Sequence, residues 1–232
     1  MQKYRVSWTL QLRRSLLRVV FRQIFRVLYR IRILGVENIP PSGPYLVAYN
    51  HVSIVDPAFI LAFWPVAAET VGAAALWHRR GQNIIVRMYG TIPVHRGAID
   101  RALIEKAVAV LEAGLPLSIA PEGQRSHVPG MQRAHPGIAY LVDQVRAPVL
   151  PVGVVGNSDE MLARALRGAR PKLEMRIGKP FHLPPITGRG RERREARQRN
   201  ADLVMQHIAA LLPAEYQGVY AVNRFPQSAQ TG

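Results

Sequence analysis

Apolar positions in this chain alternate between short uninterrupted runs and longer stretches of helical spacing. The runs at 45–49, 91–94, 115–120, 149–155 and 173–178 read as strands, and the small apolar stretch 66–75 as another. Between them, 57–63, 84–89, 100–113, 136–145 and 159–167 carry helical spacing, with Gly90 and Gly114 as stops. Leu203, Val204, Ile208 and Leu211 set the face of a last helix behind the charge-dense 189–199. Strands that are apolar throughout bury both faces. The alternation therefore predicts an α/β domain, a mixed, largely parallel sheet flanked by helices.

The first 33 residues follow a different pattern. They hold no acid, and Arg14, Arg18, Arg22, Arg26 and Arg30 recur every fourth position. That spacing lines them up along one helical stripe, with Leu16, Leu17, Val19, Val20, Phe21, Ile24, Phe25, Val27 and Leu28 between them. A cationic stripe beside a wide apolar face fits a helix lying in a membrane interface, with arginines and Trp8 at headgroup level. The competing description is a helix packed on the domain with its arginines in water. Pro40, Pro41, Gly43 and Pro44 punctuate the stretch that follows. The division expected is a helical membrane-binding segment over 1–34, an α/β domain over 35–215 and a weakly structured tail over 216–232.

Composition narrows the chemistry. The 232 residues carry a formal charge of +16, which calls for an anionic partner: a bilayer, a phosphorylated substrate or nucleic acid. Nucleic acid is disfavoured, because neither zinc-finger spacing nor an RNA-binding aromatic signature is present. The absence of cysteine excludes thiolate metal sites and a cysteine nucleophile. No ligand spacing suggests a metal, and no cofactor is expected. No run reaches the ~18 uncharged apolar residues of a membrane span.

Three strand ends lead into polar loops. The first carries His51 and Asp56, the second Arg96, the third Glu122, Gly123 and Arg125. Alone, His51 and Asp56 read equally as a base with its orienting acid or as a loop histidine beside a helix-capping aspartate. Two arginines at one sheet edge could hold a phosphate bidentately, or be solvated, with Glu122 an ion-pair partner for Arg125.

Taken in order, Asn50-His51 through Asp56, Gly90 through Arg96, Ala120 through Ser126 and Val149 through Gly153 resemble the four blocks of the glycerolipid acyltransferase family. The likeness covers roughly residues 35–182. Ala120 and Gln124 depart from the family's usual phenylalanine and threonine. The resemblance implies acyl transfer from acyl-CoA or acyl carrier protein to the sn-2 hydroxyl of lysophosphatidate, at the cytoplasmic face of a membrane. His51 would be general base, assisted by Asp56. Arg96 and Arg125 would take the acceptor phosphate, and Glu122 and Gly123 would complete the acceptor site. Backbone N–H groups at the start of the following helix would help to stabilise the oxyanion. The alternatives are another lysolipid, a glycolipid or an aminolipid as acceptor, or a non-enzymatic module binding anionic surfaces or nucleic acid.

Overall fold

The computed structural model describes residues 4–95 and 100–221. Helix α1 (Trp8–Leu28) leads into strand β1 (Arg30–Leu34). There follow β2 (Leu46–Tyr49), α2 (Val55–Phe63), β3 (Glu69–Ala73), α3 (Gln82–Tyr89) and β4 (Ile92–Val94). The second half runs α4 (Arg101–Glu112), β5 (Leu117–Ile119), α5 (Gly137–Val145), β6 (Val149–Val155), α6 (Asp159–Leu166), β7 (Lys172–Ile177), α7 (Gly190–Ala209) and α8 (Ala214–Gln217).

The strands form one seven-stranded sheet, in the order β1-β7-β6-β2-β5-β3-β4, parallel except where β6 meets β7. The expected mixed, largely parallel sheet is therefore what the chain forms. β2 lies near its centre, and its four residues are all buried. Leu46 and Ala48 join the core under α4, α5 and α7, while Val47 and Tyr49 join the core under α1 and α2. This is the two-residue strand period with both faces covered, which is why the run carries no polar position.

The antiparallel β6–β7 pair has a topological consequence. β7 runs back along β6, and β1 follows β7 in parallel. The start of β1 therefore lies at the same sheet edge as the end of β2.

Helix α1 departs most from expectation, because it is turned over. Arg14, Arg18 and Arg22 of the stripe face the domain. Arg14 is 1% exposed and forks onto Glu69, the first residue of β3, at 2.5 and 2.7 Å. It also donates to the Tyr89 carbonyl at 2.7 Å, with its guanidinium over the Tyr89 ring. Arg18 donates to the carbonyls of Leu61 and Trp64, and Arg22 to that of Ala62. Those carbonyls close the C-terminal end of α2, where an α-helix leaves acceptors unpaired and carries partial negative charge. The outward side instead carries a row of exposed apolar side chains, Trp8, Leu12, Leu16, Val19, Val20, Ile24 and Val27, with Arg13 and Gln23 among them.

The boundaries expected at either end also shift. The helix stops at Leu28, and residues 30–34 are an edge strand paired with β7, so the division at 34 falls after a strand of the main sheet. The charge-dense stretch is the first half of α7 itself. Near the other end, Tyr216 and Tyr220 are buried and bonded into the domain, accepting from the Gly156 and Ala134 N–H groups. The chain through Ala221 thus belongs to the folded body rather than to a tail.

Burying Arg14 and Glu69 is tolerable only because each answers the other. Arg14→Ala is expected to destabilise the protein by about 3–5 kcal/mol, since it strands Glu69 without a counter-charge. A paired Arg14→Met, Glu69→Leu variant removes both charges and should recover most of that loss in urea unfolding.

Candidate active site

β2 ends at Tyr49, and the next side chain continues its pairing. Asn50 is fully buried, and its amide accepts from the Val154 N–H at 2.7 Å and donates to the Val154 carbonyl at 3.0 Å. An asparagine amide has a peptide's donor and acceptor, so Asn50 extends the β2–β6 ladder while its backbone turns away. His51 therefore leaves the sheet from a fixed point.

The His51 ring is 16% exposed and packs edge-on against buried Tyr49. Its Nδ1 lies 3.0 Å from Asp56 Oδ2. Asp56 is fully buried. Oδ2 also accepts from the N–H groups of Val52 and Ser53 at 2.8 Å each, and Oδ1 accepts from the Asn157 amide at 2.7 Å. The other three neighbours of Asp56 are all donors, so the carboxylate acts here as an acceptor. The ring proton therefore sits on Nδ1, and Nε2 keeps its lone pair. Asp56 lies in the first turn of α2, but its oxygens reach back to the loop before the helix. The helix-capping alternative for Asp56 is thereby set aside.

Glu122, 1% exposed, performs a parallel task. Oε1 accepts from the His51 N–H at 2.9 Å and Oε2 from the Gln132 N–H at 2.7 Å. The Ser126 N–H donates to the His51 carbonyl at 2.9 Å. Glu122 is thus bonded to backbone and not to Arg125, contrary to the ion pair weighed from sequence. Burial is the main force on its carboxyl and pushes it up to about 7, against the two N–H donors that favour the charged form. Gly123 has a backbone reason to be glycine: its φ is +69°, and a Cβ there would lie 2.8 Å from the His135 ring.

Arg125 is half-buried at the mouth of the site, 4.0 Å from Asp159, an exposed carboxylate that also accepts from the Ser53 hydroxyl and lies 3.9 Å from His127. Arg96 lies outside the described residues. The oxyanion donors expected at the start of α2 are partly spent, since the N–H groups of His51, Val52 and Ser53 all go to carboxylates. Sequence reasoning missed Asn157. It follows β6 by two positions, and only the fold brings it onto Asp56; its own amide oxygen is buried without a partner among the described residues. Among the described residues no cluster of histidines and acids could hold a metal ion.

The site is thus a histidine with one basic nitrogen facing outward, its ring and backbone each fixed by a buried carboxylate, with an arginine nearby. Such a group can take a proton from a hydroxyl at neutral pH.

The model of the family described as "Acyltransferase" matches residues 30–155, more than half of the chain. The 1-acyl-sn-glycerol-3-phosphate acyltransferase alpha proteins of Bos taurus and Homo sapiens are each 24% identical over 164 residues, 69% of this chain and 55% and 56% of theirs. The 1-acyl-sn-glycerol-3-phosphate acyltransferase of Borreliella burgdorferi is 24% identical over 132 residues, 56% of this chain and 53% of its own. The chain spans about half the length of the curated relatives it matches. Among solved structures, the 1-acyl-sn-glycerophosphate (LPA) acyltransferase PlsC of Thermotoga maritima shares the fold, with a TM-score of 0.61 at 22% identity, over 85% of this chain and 79% of that one.

Glu122 sets a pH dependence that can be measured. A carboxyl raised from 4.5 to about 7 adds stability in full below the lower value and loses it as pH climbs through the upper one. Unfolding free energy should fall by on the order of 3 kcal/mol across that window from this group. In Glu122→Gln the fall should vanish. That amide keeps only one acceptor for two N–H donors, so a loss of about 1–3 kcal/mol should remain at low pH.

Proposed function

The chain belongs to the acyltransferase family, and on that premise we propose that it acylates the sn-2 hydroxyl of lysophosphatidate, giving phosphatidate, with acyl-CoA or acyl carrier protein as donor. The observation that carries this is the buried Asp56 held against His51 Nδ1, which leaves Nε2 as the site's base. The activity for which the relatives are named points to the same acceptor.

The acceptor hydroxyl gives its proton to His51 Nε2 as its oxygen attacks the thioester carbonyl carbon. The imidazolium so formed is stabilised by Asp56, which stays ionised throughout. The tetrahedral intermediate collapses by breaking the C–S bond, and the departing thiolate takes the proton back from His51. Bonds and charge balance without an acyl-enzyme, in keeping with a chain that lacks cysteine. Asn157 and the Val52 and Ser53 N–H groups hold Asp56, so they position the base rather than touch substrate. Glu122 fixes the backbone of the loop that carries His51, and Gly123 turns the loop that carries Glu122. Arg125, with Arg96 as its assigned companion, would take the acceptor phosphate. Asp159 stands only loosely against Arg125, so a phosphate can displace it.

The outward face of α1 supports docking on a bilayer. Its row of exposed apolar side chains is the kind of surface that enters the headgroup boundary, and no helix among the described residues is long and apolar enough to cross a membrane. The protein would lie on the membrane, at its cytoplasmic face, with the apolar side of α1 inserted and the arginines turned to the protein.

His51→Ala should lower acceptor-dependent thiol release from palmitoyl-CoA by about a thousandfold while the thermal unfolding midpoint holds. Full activity in that variant would remove the mechanism. Leu12→Ser, Leu16→Ser and Val19→Ser together should abolish co-sedimentation with anionic vesicles but leave transfer to a soluble short-chain acceptor intact. Undiminished sedimentation would place the membrane surface elsewhere.

A further inference from the structure

A second basic site lies away from the catalytic loops. Arg26, Arg30 and Arg170 stand around a cavity of about 510 Å³ whose floor is Tyr29, Ile31, Ile33 and Phe63. None of the three arginines is ion-paired among the described residues. Two of them are held in place by backbone. Arg30 Nε donates to the Arg170 carbonyl at 3.1 Å, and Arg170 donates to the Arg26 carbonyl at 2.9 Å. Arg170 itself sits at φ +46°, a left-handed conformation that a side-chain-bearing residue adopts at a cost. Tyr29 is 1% exposed, and its hydroxyl has no hydrogen-bond partner among the described residues. The three arginines are exposed and carry no counter-charge among the described residues, so an anion bound over the apolar floor would be attracted by all of them.

The placement narrows what that anion is. Arg30 opens β1 at the end of the sheet where β2 delivers His51, three strand positions across, roughly 14 Å at the usual spacing, and about 10 Å further along the strands by register. Arg26 belongs to α1, and its neighbours Ile24 and Val27 are on the exposed apolar face. The cavity thus meets both the catalytic edge and the face assigned to the bilayer. A free phosphate or a nucleotide would satisfy the arginines but leave Ile31, Ile33 and Phe63 unmatched. A phosphate attached to glycerol and acyl chains satisfies both.

We infer that this cavity binds the phosphate headgroup of an anionic glycerolipid that is not the reacting substrate, and so fixes the protein's orientation on the membrane. The inference extends the membrane reading of α1, but its test needs no membrane. The full chain is titrated by calorimetry with a short-chain phosphatidylglycerol kept below micelle formation. Arg26→Gln, Arg30→Gln and Arg170→Gln together should weaken binding by about tenfold or more, while a charge-matched Arg80→Gln, Arg167→Gln, Arg194→Gln protein stays within about twofold. Arg26→Gln alone should weaken it about fivefold; its guanidinium bonds no described residue, so folding is not at stake. His51→Ala should bind the lipid like wild type, which separates this site from the catalytic assignment. Equal affinity in the triple variant and wild type overturns the proposal. So does equal binding of a diacylglycerol without phosphate. Loss of coenzyme A binding in the triple variant, with no lipid binding in wild type, overturns it in favour of the donor's phosphates.

Discussion

Two carboxylates taken out of water hold the catalytic edge together. Asp56 collects the His51 ring, two loop N–H groups and the Asn157 amide; Glu122 collects the His51 N–H and the Gln132 N–H. Between them they tie the loops after β2, β5 and β6 to one histidine. An ionised group can be buried at this depth only if its oxygens are met by donors, and here backbone supplies most of them. The geometry of the base is thus a by-product of satisfying buried charge. Asp56 is met by four donors, whereas Glu122 is met by two, and burial pushes its carboxyl up to about 7.

The sheet was readable in the sequence because its central strands are buried on both faces. Residues 149–155 lie in β6 to the residue, and 45–49 differ from β2 by one position. The contact between His51 and Asp56 was readable for a similar reason: they share one loop, so their meeting is a local event. Asn157 was not, because it is 101 positions from Asp56 and depends on β6 lying beside β2. Glu122 was visible as a residue but not as a role. The side chain it was matched with, Arg125, is near in sequence, and its partners in the fold are backbone groups that carry no sequence signal.

Helix α1 shows what a periodicity can and cannot specify. A four-residue arginine repeat fixes that the arginines share a face; it does not say which way that face points. The ordinary expectation sends charge to solvent or headgroups. Here the end of α2 offers bare carbonyls and β3 begins on a buried acid, Glu69, and arginine is the side chain that can answer both without leaving the helix. Turning the stripe inward forces Leu12, Leu16 and Val19 outward. The polarity of the whole segment is inverted by a few acceptors that lie far away in sequence.

That inversion changes what the net charge means. Sixteen excess positive charges suggest a protein drawn broadly to anionic surfaces. Yet Arg14 is neutralised by Glu69, and Arg18 and Arg22 are committed to the carbonyls of α2, so none of the three is free to bond a headgroup directly. The apolar face of α1 would bind a neutral bilayer as readily as an anionic one, and selectivity must come from arginines left unpaired. Arg26, the next in the same stripe, is exposed at the point where α1 runs out of carbonyls to cap, and there Arg30 and Arg170 join it. One four-residue repeat thus serves structure for three positions and then reaches a cationic rim, at the end of the helix that leads to the catalytic edge. An anionic headgroup held there would set the rotation of the protein about α1, which insertion of an apolar stripe leaves loosely defined.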